Sequence, residues 1–133
     1  MSAAHSTSPE LCSRYLSEQE IQAALDALPG FFRQFVPDSI LIATYGWGCR
    51  LHMDLCYQPM RVGVGCLDRF IAESIEQRIF VPGHSDMTIA APDDRLAVMF
   101  CHETDLHISG TDSDLVTNFI SSLPYANFQN RNA

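Results

Sequence analysis

The chain contains no lysine, and all eight of its basic side chains are arginine. This absence excludes Schiff-base chemistry, a pyridoxal cofactor and the phosphate-binding lysines of P-loop proteins and kinases, because each requires a primary amine. The five cysteines form an odd set without a Cys-x-x-Cys pair. That pattern is typical of reduced thiols and not of a disulfide framework.

A secretion signal and long apolar runs are also missing. The first eight residues are small and polar, and no apolar stretch approaches the 18 residues that a membrane helix requires. We therefore expect a cytoplasmic protein that does not bind a membrane. Nucleotide-binding glycine motifs and a Gly-x-Ser-x-Gly elbow are absent, so the sequence predicts no cofactor and does not indicate a common enzyme class.

Length and charge indicate the number of domains and the class of partner. The chain has 133 residues, of which 47% are hydrophobic and 18% charged, which is typical of one globular domain with one core. Sixteen acidic and eight basic residues give a net charge of -8. This field repels phosphate, so it argues against nucleic-acid binding and favours a basic protein partner.

We expect a flexible tail over residues 1–8, a single domain over 9–125 and a C-terminal tail over 126–133. A capping box from Ser17 to Glu20 begins a helix over 18–28. We expect Pro29 and Gly30 to end this helix before a second short one.

Extended and helical patterns then follow without regular strand-helix-strand order. Alternating apolar and polar residues over 49–57 favour a half-buried strand. Hairpin connections predict an α+β single-domain sandwich, in which an antiparallel sheet of about four to six strands has helices mainly on one face. The other expected elements are strands over 39–45, 87–91 and 95–101, an extended run over 102–108 with a break near His102, and helices over 67–79 and 112–123.

Acidic residues concentrate in the final third of the chain. Several of them lie on or beside the predicted hairpin and the start of the last helix, so we expect them to share one surface that attracts a basic protein. The leading hypothesis is a binding module, such as an immunity or antitoxin-type inhibitor that masks a basic toxin, for example a nuclease. The predicted partner-binding residues are Asp93, Asp94, Glu103, Asp105, Asp112 and Asp114.

The string Gly46-Trp47-Gly48-Cys49 suggests an alternative, a thiol hydrolase using Cys49 with His107 or His52. Glycines around the tryptophan permit a sharp turn that would expose the thiol. The string resembles the nucleophile turn of the autophagy-related and ubiquitin-fold-modifier-specific cysteine peptidases. That resemblance implies Cys49 as nucleophile, His107 as general base and Asp105 as its orienting group. The simpler alternative is that Trp47 fills a gap in the core beside a buried thiol.

A metal-binding domain is the second alternative. In an unbroken strand, Cys101, Glu103, Asp105 and His107 would form a row on one face, and these are donor types that bind zinc or iron. Successive members would lie about 6.6 to 6.8 Å apart, so one ion could use two of them at most. A solvated strand face explains the same row, and we therefore assign no metal ligand.

Overall fold

In the part of the chain that the structure describes, three helices cover one face of a seven-stranded antiparallel sheet. The computed structural model describes residues 10–50 and 55–123, and the backbone of 129–130. None of the helices within these residues is long and apolar enough to cross a membrane. The helices are α1 (Glu18–Phe35), α2 (Leu67–Glu76) and α3 (Ser113–Ser122), and the strands are β1 (Leu11–Cys12), β2 (Ile40–Tyr45), β3 (Met60–Gly63), β4 (Met87–Ala90), β5 (Ala97–Phe100), β6 (Leu106–Ser109) and β7 (Gln129–Asn130).

The strand order is β3-β2-β4-β5-β6-β1-β7, and every neighbouring pair is antiparallel. The predicted α+β class is therefore confirmed. The strand count exceeds our expectation because the two-residue strands β1 and β7 extend one edge. Strand β7 belongs to the segment that we assigned to the C-terminal tail, and its backbone pairs with β1.

Helix α1 differs from the prediction because it continues through Pro29 to Phe35. Proline removes one backbone donor from a helix interior, which normally favours a break. However, the apolar side chains before and after the proline lie on the same face of the helix. Leu28 and Phe32, on either side of Pro29, are both fully buried. Core packing of the whole face therefore keeps the helix continuous. Pro37 follows directly after the cap residue Val36, where the helix ends.

The expected strand over 49–57 is not formed by the described residues of that segment. Cys49 and Arg50 follow a turn, and Leu55 to Tyr57 form a second turn with exposed side chains at both ends. Residues 51–54, including His52, lie outside the described residues. The predicted break near His102 is confirmed, because β5 ends at Phe100 and β6 begins at Leu106.

The sheet has two different faces. Val98, Phe100, Leu106 and Ile108 face the helices and are almost completely buried. Since side chains alternate along a strand, His107 lies on the opposite face, which we call the outer face.

Truncation of Phe32 to alanine should lower the free energy of unfolding by about 3–5 kcal/mol, because a fully buried ring leaves a cavity. Phe35→Ala on the same helix is the control. Its ring is 36% exposed and stacks on Phe31, so we expect about 1 kcal/mol or less. Urea unfolding measures both values, and equal losses would contradict the assigned orientation of α1.

Candidate functional site

Four of the six predicted partner-binding residues lie together at one end of the sheet, which we call the acidic end: Asp93, Asp94, Asp112 and Asp114. Asp93 and Asp94 are exposed on the turn between β4 and β5, and both have positive φ angles. The Thr111 amide donates to the Asp94 carbonyl oxygen at 3.0 Å, which holds this turn beside the start of α3. The turn between β4 and β5 and the start of α3 therefore lie side by side, and these four residues share one end of the sheet.

Asp112 has a structural role within the acidic end. Its carboxylate accepts a hydrogen bond from the Leu115 amide at 3.1 Å and caps α3. It also forms an ion pair with Arg95 at 3.0 Å. The Leu115 amide, followed by Arg95, lowers the pKa of the Asp112 carboxyl group below its usual value. The exposed Asp93, Asp94 and Asp114 therefore carry most of the accessible charge.

The other two predicted residues do not join this surface. Glu103 is exposed, but it lies on the turn between β5 and β6, at the opposite end of the sheet from Asp93. Asp105 is only 7% exposed. The break in the extended run turns its carboxylate inward beside His107, so Asp105 is not available as a surface contact.

The turn containing Trp47 is held against Asp86. The Gly46 amide donates to the Asp86 carbonyl oxygen at 2.9 Å, and the Asp86 amide donates to the Trp47 carbonyl oxygen at 2.8 Å. Gly48 has φ +82°, and a β-carbon there would lie 2.8 Å from the His84 carbonyl oxygen. This turn therefore requires glycine.

Trp47 is 57% exposed, so it does not fill a gap in the core as we expected. Its ring packs on His102, with a centroid distance of 4.3 Å and a tilt of 39°. The Asp86 carboxylate accepts a hydrogen bond from the His102 amide at 2.6 Å and lies 2.8 Å from Nδ1 of the same residue. The exposed Tyr57 lies beside Gly46. We name Trp47, Tyr57, His102 and Glu103 together the Trp47 surface.

Cys49 lacks the surroundings of an activated nucleophile. Its thiol donates to the Asp86 carbonyl oxygen at 3.2 Å, and the residue packs against the core on the helix side of the sheet. Burial raises the pKa of this thiol above its usual value. His107 lies on the outer face, so the structure does not bring the two proposed catalytic residues together.

His107 instead contacts a different thiol. Nδ1 of the ring lies 3.3 Å from Sγ of Cys12 and 3.3 Å from Oε2 of Glu10. Nε2 lies 3.1 Å from Oδ2 of Asp105. The imidazole is 5% exposed and sits between two carboxylates, with a thiol on the Nδ1 side. We name Glu10, Cys12, Asp105 and His107 the His107 cluster.

A weak signal for this cluster is visible in the sequence. Glu10-Leu11-Cys12 and Asp105-Leu106-His107 share a pattern in which a carboxylate and a second donor flank a leucine. Each triplet places its outer residues on one side of an extended chain. Only the pairing of Cys12 with His107 across β1 and β6 shows that the two triplets meet. A two-residue strand offers too short a pattern to predict that pairing.

Comparisons with known proteins provide no family assignment. A scan against protein-family models found no match to this chain, and searches of curated proteins and of solved structures found none either. Function is therefore inferred from the geometry described above.

Cys49 should react slowly with iodoacetamide at pH 6, because burial raises the pKa of its thiol and leaves little thiolate. The exposed Cys66 is the internal control and should be labelled first. Peptide mass spectrometry over a time course gives both rates. Faster labelling of Cys49 than of Cys66 would show an activated thiol and contradict the assignment.

Proposed function

We propose that this protein is a binding module that docks a basic protein through the Trp47 surface. The observation that carries the proposal is the exposure of Trp47 on a turn that hydrogen bonds hold in place. Single exposed apolar residues are common and need no explanation. A large aromatic ring held in one position by a glycine-dependent turn is a stronger indication of a contact residue.

The Trp47 surface has the composition of an interface centre. Tryptophan and tyrosine are enriched among the residues that dominate binding energy, and Trp47 and Tyr57 are both more than half exposed. Asp86 holds the backbone of the Trp47 turn, and the Trp47 ring packs on His102, which itself contacts the Asp86 carboxylate. A contact that is ordered before binding loses less conformational entropy when the complex forms.

Charge indicates the class of partner. The chain carries a net charge of -8, and the exposed Glu103 follows His102, the residue on which Trp47 packs. Arginine or lysine from a partner could pack on the indole face and pair with Glu103, since a tryptophan ring attracts cations. Three exposed aspartates at the acidic end add a longer-range attraction, which accelerates encounter more than it strengthens the final complex.

Within this class, the partner that we propose is a toxin-like nuclease, which would make this protein an immunity or antitoxin-type inhibitor. A nuclease needs a basic surface to bind phosphates, and an acidic protein can cover that surface. A standard interface needs about 800 Å² from each partner, which a domain of this size can supply. Nuclease activity of the captured partner should then fall as the protein is added.

Trp47→Ala should weaken binding of the partner by at least about 2 kcal/mol, or about 30-fold in Kd, because it removes the central aromatic contact. The partner is obtained by passing a native lysate over the untagged protein and is then produced separately for calorimetry. The unfolding free energy should change little, since the Trp47 side chain is mostly exposed.

Phe35→Ala is the matched control, because this partly exposed ring lies at the end of α1 that leads into β2, away from Trp47. It should leave the Kd unchanged. Recovery of an acidic partner, or equal affinity for the wild type and Trp47→Ala, would refute the proposal.

The double substitution Asp93→Asn and Asp94→Asn should slow association about 3- to 10-fold at low salt and leave dissociation nearly unchanged. Asparagine tolerates the positive φ angles at both positions. The control pair is Asp26→Asn with Glu76→Gln, which removes the same charge from exposed positions on α1 and α2. Stopped-flow kinetics measure the association rate constants of both double variants. Equal slowing by the two pairs would show that the net charge, and not the position of Asp93 and Asp94, accelerates association.

A further inference from the structure

We infer that Glu10, Cys12 and His107 form a zinc-binding site on the outer face of the sheet, with the Asp105 carboxylate beside the histidine ring. This site is separate from the Trp47 surface and does not depend on the proposed docking function. One ligand atom from each of the three residues lies within 4.8 Å of the others.

The distances agree with those between ligands of one tetrahedral ion. Zinc binds sulfur at about 2.3 Å and nitrogen or oxygen at about 2.0 to 2.2 Å, so in one tetrahedron a nitrogen and an oxygen ligand lie about 3.3 to 3.6 Å apart and a sulfur and a nitrogen ligand about 3.5 to 3.6 Å apart. In the structure, Nδ1 of His107 is 3.3 Å from Sγ of Cys12 and 3.3 Å from Oε2 of Glu10. The nitrogen–oxygen separation matches the tetrahedral value, and the sulfur–nitrogen separation would have to lengthen by about 0.2 Å when the ion binds.

Backbone pairing explains how these ligands meet. Cys12 and His107 are direct partners across the antiparallel pair of β1 and β6, so their side chains lie on the same face. Glu10 is two residues before Cys12, which in an extended chain places its side chain on that face as well. The arrangement therefore follows from the register and does not require an unusual backbone.

Asp105 supplies a second observation. It is 7% exposed, and its Oδ1 has no hydrogen-bond partner among the described residues. A buried carboxylate is costly unless a positive charge or hydrogen bonds compensate it. Its other oxygen lies 3.1 Å from Nε2 of His107, an ion-pair distance without the geometry of a hydrogen bond, so the carboxylate stands beside the ring on the side away from Cys12. A zinc ion on the Nδ1 side would provide the missing positive charge.

The same residues fit a thiol nucleophile less well. A general base needs its nitrogen directed at the thiol, but Nδ1 of His107 is equally close to the carboxylate of Glu10. A carboxylate beside a thiol opposes formation of the thiolate, whereas a divalent cation is stabilised by both groups. Mixed sulfur, nitrogen and oxygen ligands are typical of zinc, with a fourth position open to water.

Cobalt(II) provides the test, because it replaces zinc and its absorption reports thiolate ligation. The untagged full-length protein, stripped with a chelator, should bind one cobalt ion per chain. The spectrum should show a thiolate-to-cobalt charge-transfer band and the visible bands of a four-coordinate ion. Zinc should displace the cobalt and remove these bands.

Cys12→Ser should abolish the thiolate band, whereas Cys66→Ser, at an exposed position on another part of the surface, should retain it. Asp105→Asn should weaken metal binding about 10- to 100-fold without removing the band, because it removes the negative charge beside the His107 ring and leaves all three ligands in place. Circular dichroism confirms that each variant is folded.

Trypsin gives a readout that does not depend on absorption. The chain has no lysine, so trypsin cuts only after its arginines. Arg14 follows β1 by two residues, and a metal that links β1 to β6 should slow cleavage there severalfold relative to the stripped protein. Cleavage after Arg69 on α2 should not change and is the internal control.

Absence of stoichiometric cobalt uptake by the wild type would overturn the proposal. A thiolate band that survives in Cys12→Ser but is lost in Cys101→Ser would also overturn it, because it would place the ion with Cys101, Asp105 and His107 on the other side of the ring. Rapid alkylation of Cys12 without metal uptake would indicate a reactive thiol instead.

Discussion

The contacts of Asp86 determine the position of Trp47 on the surface of the protein. Its backbone accepts the Gly46 amide and donates to the Trp47 carbonyl oxygen, while its carboxylate bonds to His102. Two loops that are far apart in sequence are thereby joined at a single residue. These bonds help to keep the Trp47 ring against His102, and the ordered centre of the proposed interface depends on that contact.

Features of the fold that depend on local sequence were predictable. The capping box at Ser17, the helical spacing of α2 and the turn at Pro92 to Asp94 each reflect interactions between near neighbours, and the structure contains all three. The prediction failed where tertiary packing was stronger than a local preference. Helix α1 passes through Pro29 because Leu28 and Phe32 pack in the same core, which no local signal at the proline could show.

The candidate sites were predictable only in part, for a related physical reason. Asp93 and Asp94 were placed together with Asp112 because a turn and a helix start are both visible in the sequence. The inward position of Asp105 and the contact of His107 with Cys12 depend on the register between β1 and β6. The exposure of Trp47 depends on the approach of Gly48 to the His84 carbonyl oxygen, which joins separate segments.

The central claim, that Trp47 lies at the centre of a docking surface for a basic protein, can be tested through fluorescence. Trp47 is the only tryptophan in the chain, so intrinsic emission reports on this residue alone when the partner is made without tryptophan. The account predicts a blue-shifted emission and strong protection from acrylamide quenching in the complex. A stable complex in which the emission and quenching of Trp47 are the same as in the free protein would contradict it.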